Sequence, residues 1–91
     1  MAVPCEFRWN DWNVHHIGKH GVTPAQAETV VRGARPPFPA KIGHGKYLAI
    51  GPTDDGTYLQ VIYLIDPDDT IFVIHARPLT ATERRRYRRR A

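Results

Sequence analysis

The sequence offers few sources of stability for a folded chain other than a hydrophobic core. Its single cysteine, Cys5, cannot form a disulfide within the chain. No apolar run approaches the ~18 residues that a membrane-spanning helix requires, and residues 1–9 lack the basic and then apolar pattern of a secretory signal. These absences predict a cytoplasmic protein with no membrane partner, stabilised by core packing alone.

The signatures of the commonest cofactor and metal sites are also absent. There is no glycine-rich phosphate loop, no paired-cysteine zinc pattern and no GxSxG element. The acidic residues fall mainly in turns, as in Asp54–Asp55 and Asp68–Asp69. His16 and His20 lie four residues apart and could reach one metal ion, but Ile17 stands where the HExxH motif has its glutamate. We therefore predict no cofactor and no metal.

The chain of 91 residues is 42% hydrophobic and 24% charged, which is typical of one globular domain spanning residues 1–91. Its net charge of +4 is concentrated at one end. Residues 83–91 contain six arginines against Glu83, a net +5, whereas residues 1–82 contain seven Lys and Arg against eight Asp and Glu, a net −1. RNA or an acidic protein would complement this basic segment, at about residues 80–91. A solvated tail is the alternative.

Two helices are predicted in the first third of the chain. The first is capped by Asn10 or Asp11 and runs to about Lys19. The second spans about Pro24–Arg32, because the Thr-Pro pair at its start supplies an N-cap and an N1 proline. The prolines that follow exclude a helix or a central strand from residues 34–40.

Three strands are predicted after the prolines: Lys46–Gly51, Thr57–Ile65 and Thr70–Arg77. The second is nearly all apolar, which predicts a central strand buried on both faces. In the third, alternation predicts one face made of every second residue, namely Ile71, Val73, His75 and Arg77. A short edge strand is expected at Phe7–Trp9.

A last helix is predicted to start at the capping box of residues 80–83 and to run through Tyr87 into the arginines. Short turns between consecutive strands favour an antiparallel meander. The expected fold is therefore α+β, with two N-terminal helices, a three- to four-stranded antiparallel sheet and a C-terminal helix.

Four cationic or imidazole side chains would converge if the end of the first helix lay near the end of the third predicted strand: Lys19, His20, His75 and Arg77. Such a set can bind a phosphodiester and stabilise the charge of its transition state, and an imidazole can move protons near neutral pH. RNA supplies its own nucleophile, the 2′-hydroxyl, so its cleavage requires neither a metal nor a catalytic serine. The alternative is a set of polar residues at the rim of a small core.

Motifs at both ends of the chain resemble the BrnT family of toxins. FRWN at residues 7–10 is similar to the family's F-x-W-D-like element, and KHGVT at residues 19–23 to its K-H-G-V-[ST] turn. IHAR at residues 74–77, followed by Thr80, Glu83 and Tyr87, is similar to the family's I-x-A-R-x-x-[ST]-x-x-E-x-x-x-Y ending. The order and spacing of the elements between also match, so the resemblance covers nearly the whole chain.

This resemblance implies a RelE-like fold and a metal-independent ribonuclease that arrests growth. It also implies a cognate antitoxin, BrnA-like with a ribbon-helix-helix or similar DNA-binding part, whose complex with the toxin represses their promoter. A toxin–antitoxin heterotetramer or a homo-oligomer is the expected assembly.

Carried over by position, the resemblance implies a catalytic set, which we extend with one neighbouring histidine: Lys19, His20, Arg77, Glu83, Tyr87 and His16. Arg77 and Lys19 would hold the scissile phosphate, and His20 or His16 would transfer protons. Glu83 and Tyr87 would orient or assist. Further contacts to RNA are expected from other basic residues and one histidine: Arg84, Arg85, Arg88, Lys46 and His75.

Asn13 stands where the family often has a lysine in the first helix. This difference favours a second hypothesis, a module of the same fold that binds a protein or a nucleic acid without catalysis. Its last helix would then be a docking element whose charge steers an acidic partner. A third possibility, direct DNA binding by the arginine segment, has only one short basic helix in its favour.

Overall fold

The computed structural model describes residues 6–90, and the side chains of residues 6–88, so Cys5 lies outside the described residues. The elements follow the order α1 (Asp11–Gly18), α2 (Pro24–Arg32), β1 (Ala40–Gly43), β2 (Lys46–Pro52), β3 (Tyr58–Ile65), β4 (Ile71–Pro78) and α3 (Ala81–Arg90). The strands form one antiparallel sheet in the order β1-β2-β3-β4. This is the predicted α+β fold. No helix among residues 6–90 is long and apolar enough to cross a bilayer.

The helices begin where their capping residues predict. The Asn10 side chain accepts a hydrogen bond from the backbone N–H of Asn13 at 3.1 Å, and Thr23 caps α2 in the same way. A reciprocal capping box starts α3, in which the Thr80 N–H donates to Glu83 at 2.9 Å and the Glu83 N–H donates to Thr80 at 3.1 Å. These bonds satisfy backbone donors that have no partner inside a helix.

The short strand β1 is the part of the sheet that the sequence pattern does not locate. A two-residue turn, His44–Gly45, joins it to β2, and both turn residues have positive φ, at 53° and 73°. Two positive φ values characterise the type I′ turn that is favoured in hairpins. The expected edge strand at Phe7–Trp9 is absent, because Phe7 forms only an isolated parallel bridge to Ile71.

The core lies between α2 and one face of the sheet, which we call the inner face. Alternate residues of the three longer strands are buried there: Ala49, Leu59, Val61, Tyr63, Ile71, Val73 and Ala76. The side chains on the opposite, outer face of β3 are only half-buried, namely Tyr58, Gln60, Ile62 and Leu64. The prediction that this strand is buried on both faces is therefore wrong. The reason is that α3 packs against only one end of the outer face.

A β-bulge in β4 changes which side chains face outwards. Tyr63 pairs with Val73 and Ile62 pairs with His75, so Ile74 has no partner in the ladder. An extra residue in one strand shifts its alternation by one position. The predicted common face of Ile71, Val73, His75 and Arg77 is therefore wrong: the first two lie on the inner face, whereas the last two lie on the outer face with Phe72.

Asn13 fixes α1 beside the open edge of β4. Its side chain is fully buried, and its Nδ2 donates to the backbone oxygens of Arg8 and Val73, each at 3.1 Å. Its Oδ1 accepts from the backbone N–H of Asn10 at 2.8 Å. Because β4 is an edge strand, the Val73 carbonyl would otherwise lack a partner. With Asn13 and Ile17 turned inwards, another face of α1 reaches the outer face of the sheet.

Candidate functional site

Three imidazoles meet where α1 passes the edge of β4. The ring centroid of His75 lies 6.2 Å from that of His16 and 5.5 Å from that of His20. The four-residue spacing on α1 places His16 and His20 on one helix face, and the bulge at Ile74 turns His75 towards them. We call these three residues the histidine cluster. The structure thus brings together three of the residues that the sequence singles out.

An exposed tryptophan extends the cluster along α1. The Trp12 ring lies parallel to His16, with centroids 5.0 Å apart and planes at 8°, and is also stacked with Phe72 at 6.0 Å. The Arg8 guanidinium lies 4.0 Å above the Phe72 ring. Trp12 is 54% exposed, which is unusual for so large an apolar side chain. Sequence reasoning did not assign it to the site, although its position four residues before His16 was a usable signal.

Burial lowers the pKa of His75 below its ordinary value of 6.5. The positive charges of His20, Arg77 and His16 lower this pKa further, in that order. At neutral pH the His75 imidazole is therefore uncharged, and one of its nitrogens can accept a proton. The sequence alone places His75 among the residues that bind RNA, whereas its surroundings suit it to proton transfer.

We expect the lowered pKa of His75 to make stability depend on pH. As pH falls below about 6.5, the unfolded chain takes up a proton at this position before the folded chain does, so the free energy of unfolding decreases. His75→Gln should weaken this dependence, whereas His15→Gln, at an exposed position of α1, should retain it. Urea unfolding at pH 7.5 and 5.5 measures the difference. Equal pH dependence in His75→Gln and the wild type would contradict the assignment.

Arg77 lies two residues from His75 on the same face, and its charge is held by a carboxylate. Two of its nitrogens donate to the two oxygens of Glu83, each at 2.8 Å. It also donates to the Pro78 carbonyl at 3.1 Å and, at 3.4 Å, to the side-chain oxygen of Gln60. The bond from Arg77 is the main reason why the pKa of Glu83 falls to about 2. Glu83 thus positions the guanidinium and also competes with any phosphate for it.

The other predicted site residues lie around this centre. Lys19 is exposed at the C-terminal end of α1, next to His20. Tyr87 contacts Phe38 and Tyr58 instead of the histidines, with centroids 6.1 Å and 5.5 Å away. The remaining basic residues of the prediction are all exposed. Lys46 lies on the outer face, at the end opposite to Arg77. The other three lie on α3: Arg84, Arg85 and Arg88.

Within the described chain, residues 6–90, no three His, Cys, Asp or Glu side chains form a group that could hold a metal ion. No family model, curated protein or solved structure matches this chain. An uncharged imidazole, two neighbouring imidazoles and a guanidinium on an accessible face can together bind a phosphodiester and transfer its protons.

Proposed function

We propose that this protein is the toxin of a type II toxin–antitoxin system, a metal-independent endoribonuclease similar to the BrnT family. The main support is the histidine cluster, in which His75 is uncharged at neutral pH and lies beside Arg77. RNA contains the nucleophile that such a site needs, and its phosphodiester carries the negative charge that Arg77 would bind. The resemblance of residues 7–10, 19–23 and 74–87 to BrnT motifs implies the same function.

In the proposed reaction, His75 accepts the proton of the substrate's 2′-hydroxyl. The 2′-oxygen then attacks the adjacent phosphorus, and the bond from phosphorus to the 5′-oxygen breaks. His20 or His16, in its protonated form, gives a proton to the leaving 5′-oxygen. The products are a 2′,3′-cyclic phosphate and a 5′-hydroxyl end, and no net proton is gained or lost. Arg77, with Lys19 beside the cluster, stabilises the additional negative charge on the phosphate.

The exposed arginines of α3 would extend the RNA contact beyond the scissile phosphate. Their charge is the positive excess of the chain, whose residues 1–82 carry a net −1. Contacts to phosphates through arginine release counterions, so the affinity for RNA should fall as salt rises. The proposal also includes a neutralising antitoxin, encoded by a neighbouring gene and expressed in the cytoplasm with the toxin.

Induced expression tests the proposal most directly. The wild-type chain should arrest growth and fragment total RNA, with 2′,3′-cyclic phosphate ends on the fragments. His75→Gln should allow growth and leave RNA intact at equal soluble protein levels, because glutamine cannot accept the proton. Normal growth with abundant soluble wild-type protein, or full cleavage by His75→Gln, would contradict the proposal.

A non-catalytic binding module is the second candidate, and one observation favours it. The guanidinium of Arg77 already makes four contacts, including both oxygens of Glu83, so a phosphate would have to share or displace the carboxylate. Such a module would bind RNA or an acidic protein through α3 without cutting it. Purified wild-type protein that retains RNA on a filter but leaves it uncut in chelator-containing buffer would favour this candidate.

A further inference from the structure

A pocket lies between α3 and the end of the outer face. Its volume is about 140 Å³. Apolar walls come from Phe38, Ile50 and Leu79, and the ring of Tyr87 forms part of its lining. A cavity of about 150 Å³ accommodates benzene, so this pocket has the size of one six-membered ring. The proposed reaction does not use this pocket.

Polar groups converge on the same pocket from both sides: Gln60 from β3, with Glu83 and Arg86 from α3. The oxygen of Gln60 accepts from Arg77, so its amide nitrogen remains a donor. The Glu83 carboxylate accepts three hydrogen bonds, two from Arg77 and one from the backbone of Thr80, which leaves about one of its four lone pairs. The pocket therefore offers several hydrogen-bond donors and a single acceptor around an apolar space that has the size of one ring.

We propose that this pocket holds one pyrimidine base of single-stranded RNA. Cytosine and uracil each present one donor group and two acceptors on the edge that would meet Gln60, Glu83 and Arg86. In uracil the N3–H lies between two carbonyl oxygens, and in cytosine the amino group lies at one end, beside N3 and the O2 oxygen. Their single ring fits the volume and can contact the face or edge of Tyr87. The pocket is open on one side, so the larger, two-ring frame of a purine would leave one of its rings in solvent and gain less from the apolar walls.

The pocket lies next to Arg77 and His75, as the binding site for a base of the same RNA strand should. Arg77 contacts both Gln60 and Glu83, so the pocket begins where the proposed phosphate site ends. His75 follows two positions away on the same face of β4, at about 7 Å along a strand. A strand of RNA with its base in the pocket would thus place a neighbouring phosphate at Arg77 and the histidine cluster. This inference rests on the proposed RNA substrate, but it does not require cleavage.

Hexanucleotides on a 2′-O-methylribose backbone test the pocket directly. Five positions are abasic, and one internal position carries cytosine, uracil, adenine or guanine, with a fully abasic hexamer as reference. The methyl groups block the nucleophile, so affinity is measured whether or not the chain cleaves RNA. We expect cytosine or uracil to increase affinity at least about fivefold over the abasic reference, and purines to increase it less.

Two arginines of α3 provide a matched pair of variants. Arg86 lines the pocket, whereas Arg85 donates to Thr82 and is absent from its lining. Each alanine substitution removes one positive charge from the same helix. Arg85→Ala should weaken all hexamers equally, because a phosphate contact is independent of the base. Arg86→Ala should reduce the gain from a pyrimidine, and Tyr87→Leu should abolish it.

The outcomes separate this inference from the proposed function. Equal affinity for base-bearing and abasic hexamers, a purine preference, or a pyrimidine gain that survives both Arg86→Ala and Tyr87→Leu would overturn it. If Tyr87→Leu loses helicity, the surface substitution Arg86→Ala still decides the result. A pyrimidine gain in a chain that cuts no RNA would support the pocket while refuting the ribonuclease. Cleavage of RNA by a chain that shows no pyrimidine gain would support the ribonuclease while refuting the pocket.

Discussion

Arg77→Ala should lower the rate of RNA cleavage at least about 100-fold, which is the typical cost of removing one donor that stabilises transition-state charge. The guanidinium lies on the outer face beside His75, where the reacting phosphate would be bound. The chain should stay folded, because the Arg77–Glu83 pair is about 30% exposed on each side chain and Glu83 retains its bonds to Thr80. Single-turnover cleavage of a labelled RNA measures the rate.

Arg32→Ala is the matched control for this substitution. Arg32 also pairs with a glutamate, Glu28 at 2.9 Å, but its partner lies on α2 and outside the candidate site. Its loss should leave the cleavage rate unchanged. Full cleavage or full growth arrest by a folded Arg77→Ala protein would remove Arg77 from the mechanism. Glu83→Gln adds a second comparison: if the carboxylate competes with phosphate, this variant should bind RNA more tightly than the wild type.

Asn13→Leu should reduce the free energy of unfolding by about 2–4 kcal/mol, which is a large effect for one substitution. Leucine has a similar volume but cannot replace the three side-chain bonds that Asn13 makes with Arg8, Val73 and Asn10. The buried carbonyl of Val73 would lose its partner, at a cost of about 1–3 kcal/mol. The partly buried carbonyl of Arg8 and N–H of Asn10 would lose theirs at a smaller cost, because water can reach them. Urea unfolding at pH 7.5 measures the effect.

His15→Leu is the control for a leucine substitution at an exposed position of the same helix. We expect it to change stability by less than about 0.5 kcal/mol. Asn13→Lys addresses the resemblance to the BrnT family, which often has a lysine here. The position is fully buried, so lysine should destabilise the chain even more than leucine does and should not increase cleavage. A stable, more active Asn13→Lys protein would show that α1 can rotate to expose this position.

Local signals account for most of the fold that the sequence predicts. The caps at Asn10, Thr23 and Thr80 depend on residues within three positions, and α2 spans the predicted Pro24–Arg32. Short apolar runs bounded by turn residues locate the three longer strands in the same way. β1 lacks such a run, since three of its four residues are exposed and its place depends on pairing with β2.

The candidate site was only partly predictable, because its assembly depends on contacts distant in the sequence. The grouping of His16, His20 and His75 requires α1 to lie against β4, which the buried bonds of Asn13 determine. The pairing of Arg77 with Glu83 depends on how α3 folds back over the sheet. Tyr87, which the resemblance puts near the reacting groups, instead packs on Phe38 and Tyr58. No local pattern encodes these placements.

The bulge at Ile74 has a consequence for insertions and deletions. Removing this one residue would restore unbroken alternation in β4 without exchanging any sides: Val73 and Ala76 would keep the inner face, and His75 and Arg77 would keep the outer face. A frame-preserving loss of the Ile74 codon would thus leave the histidine cluster in place, whereas loss of Ala76 would put either His75 or Arg77 on the inner face, whether or not the bulge persisted.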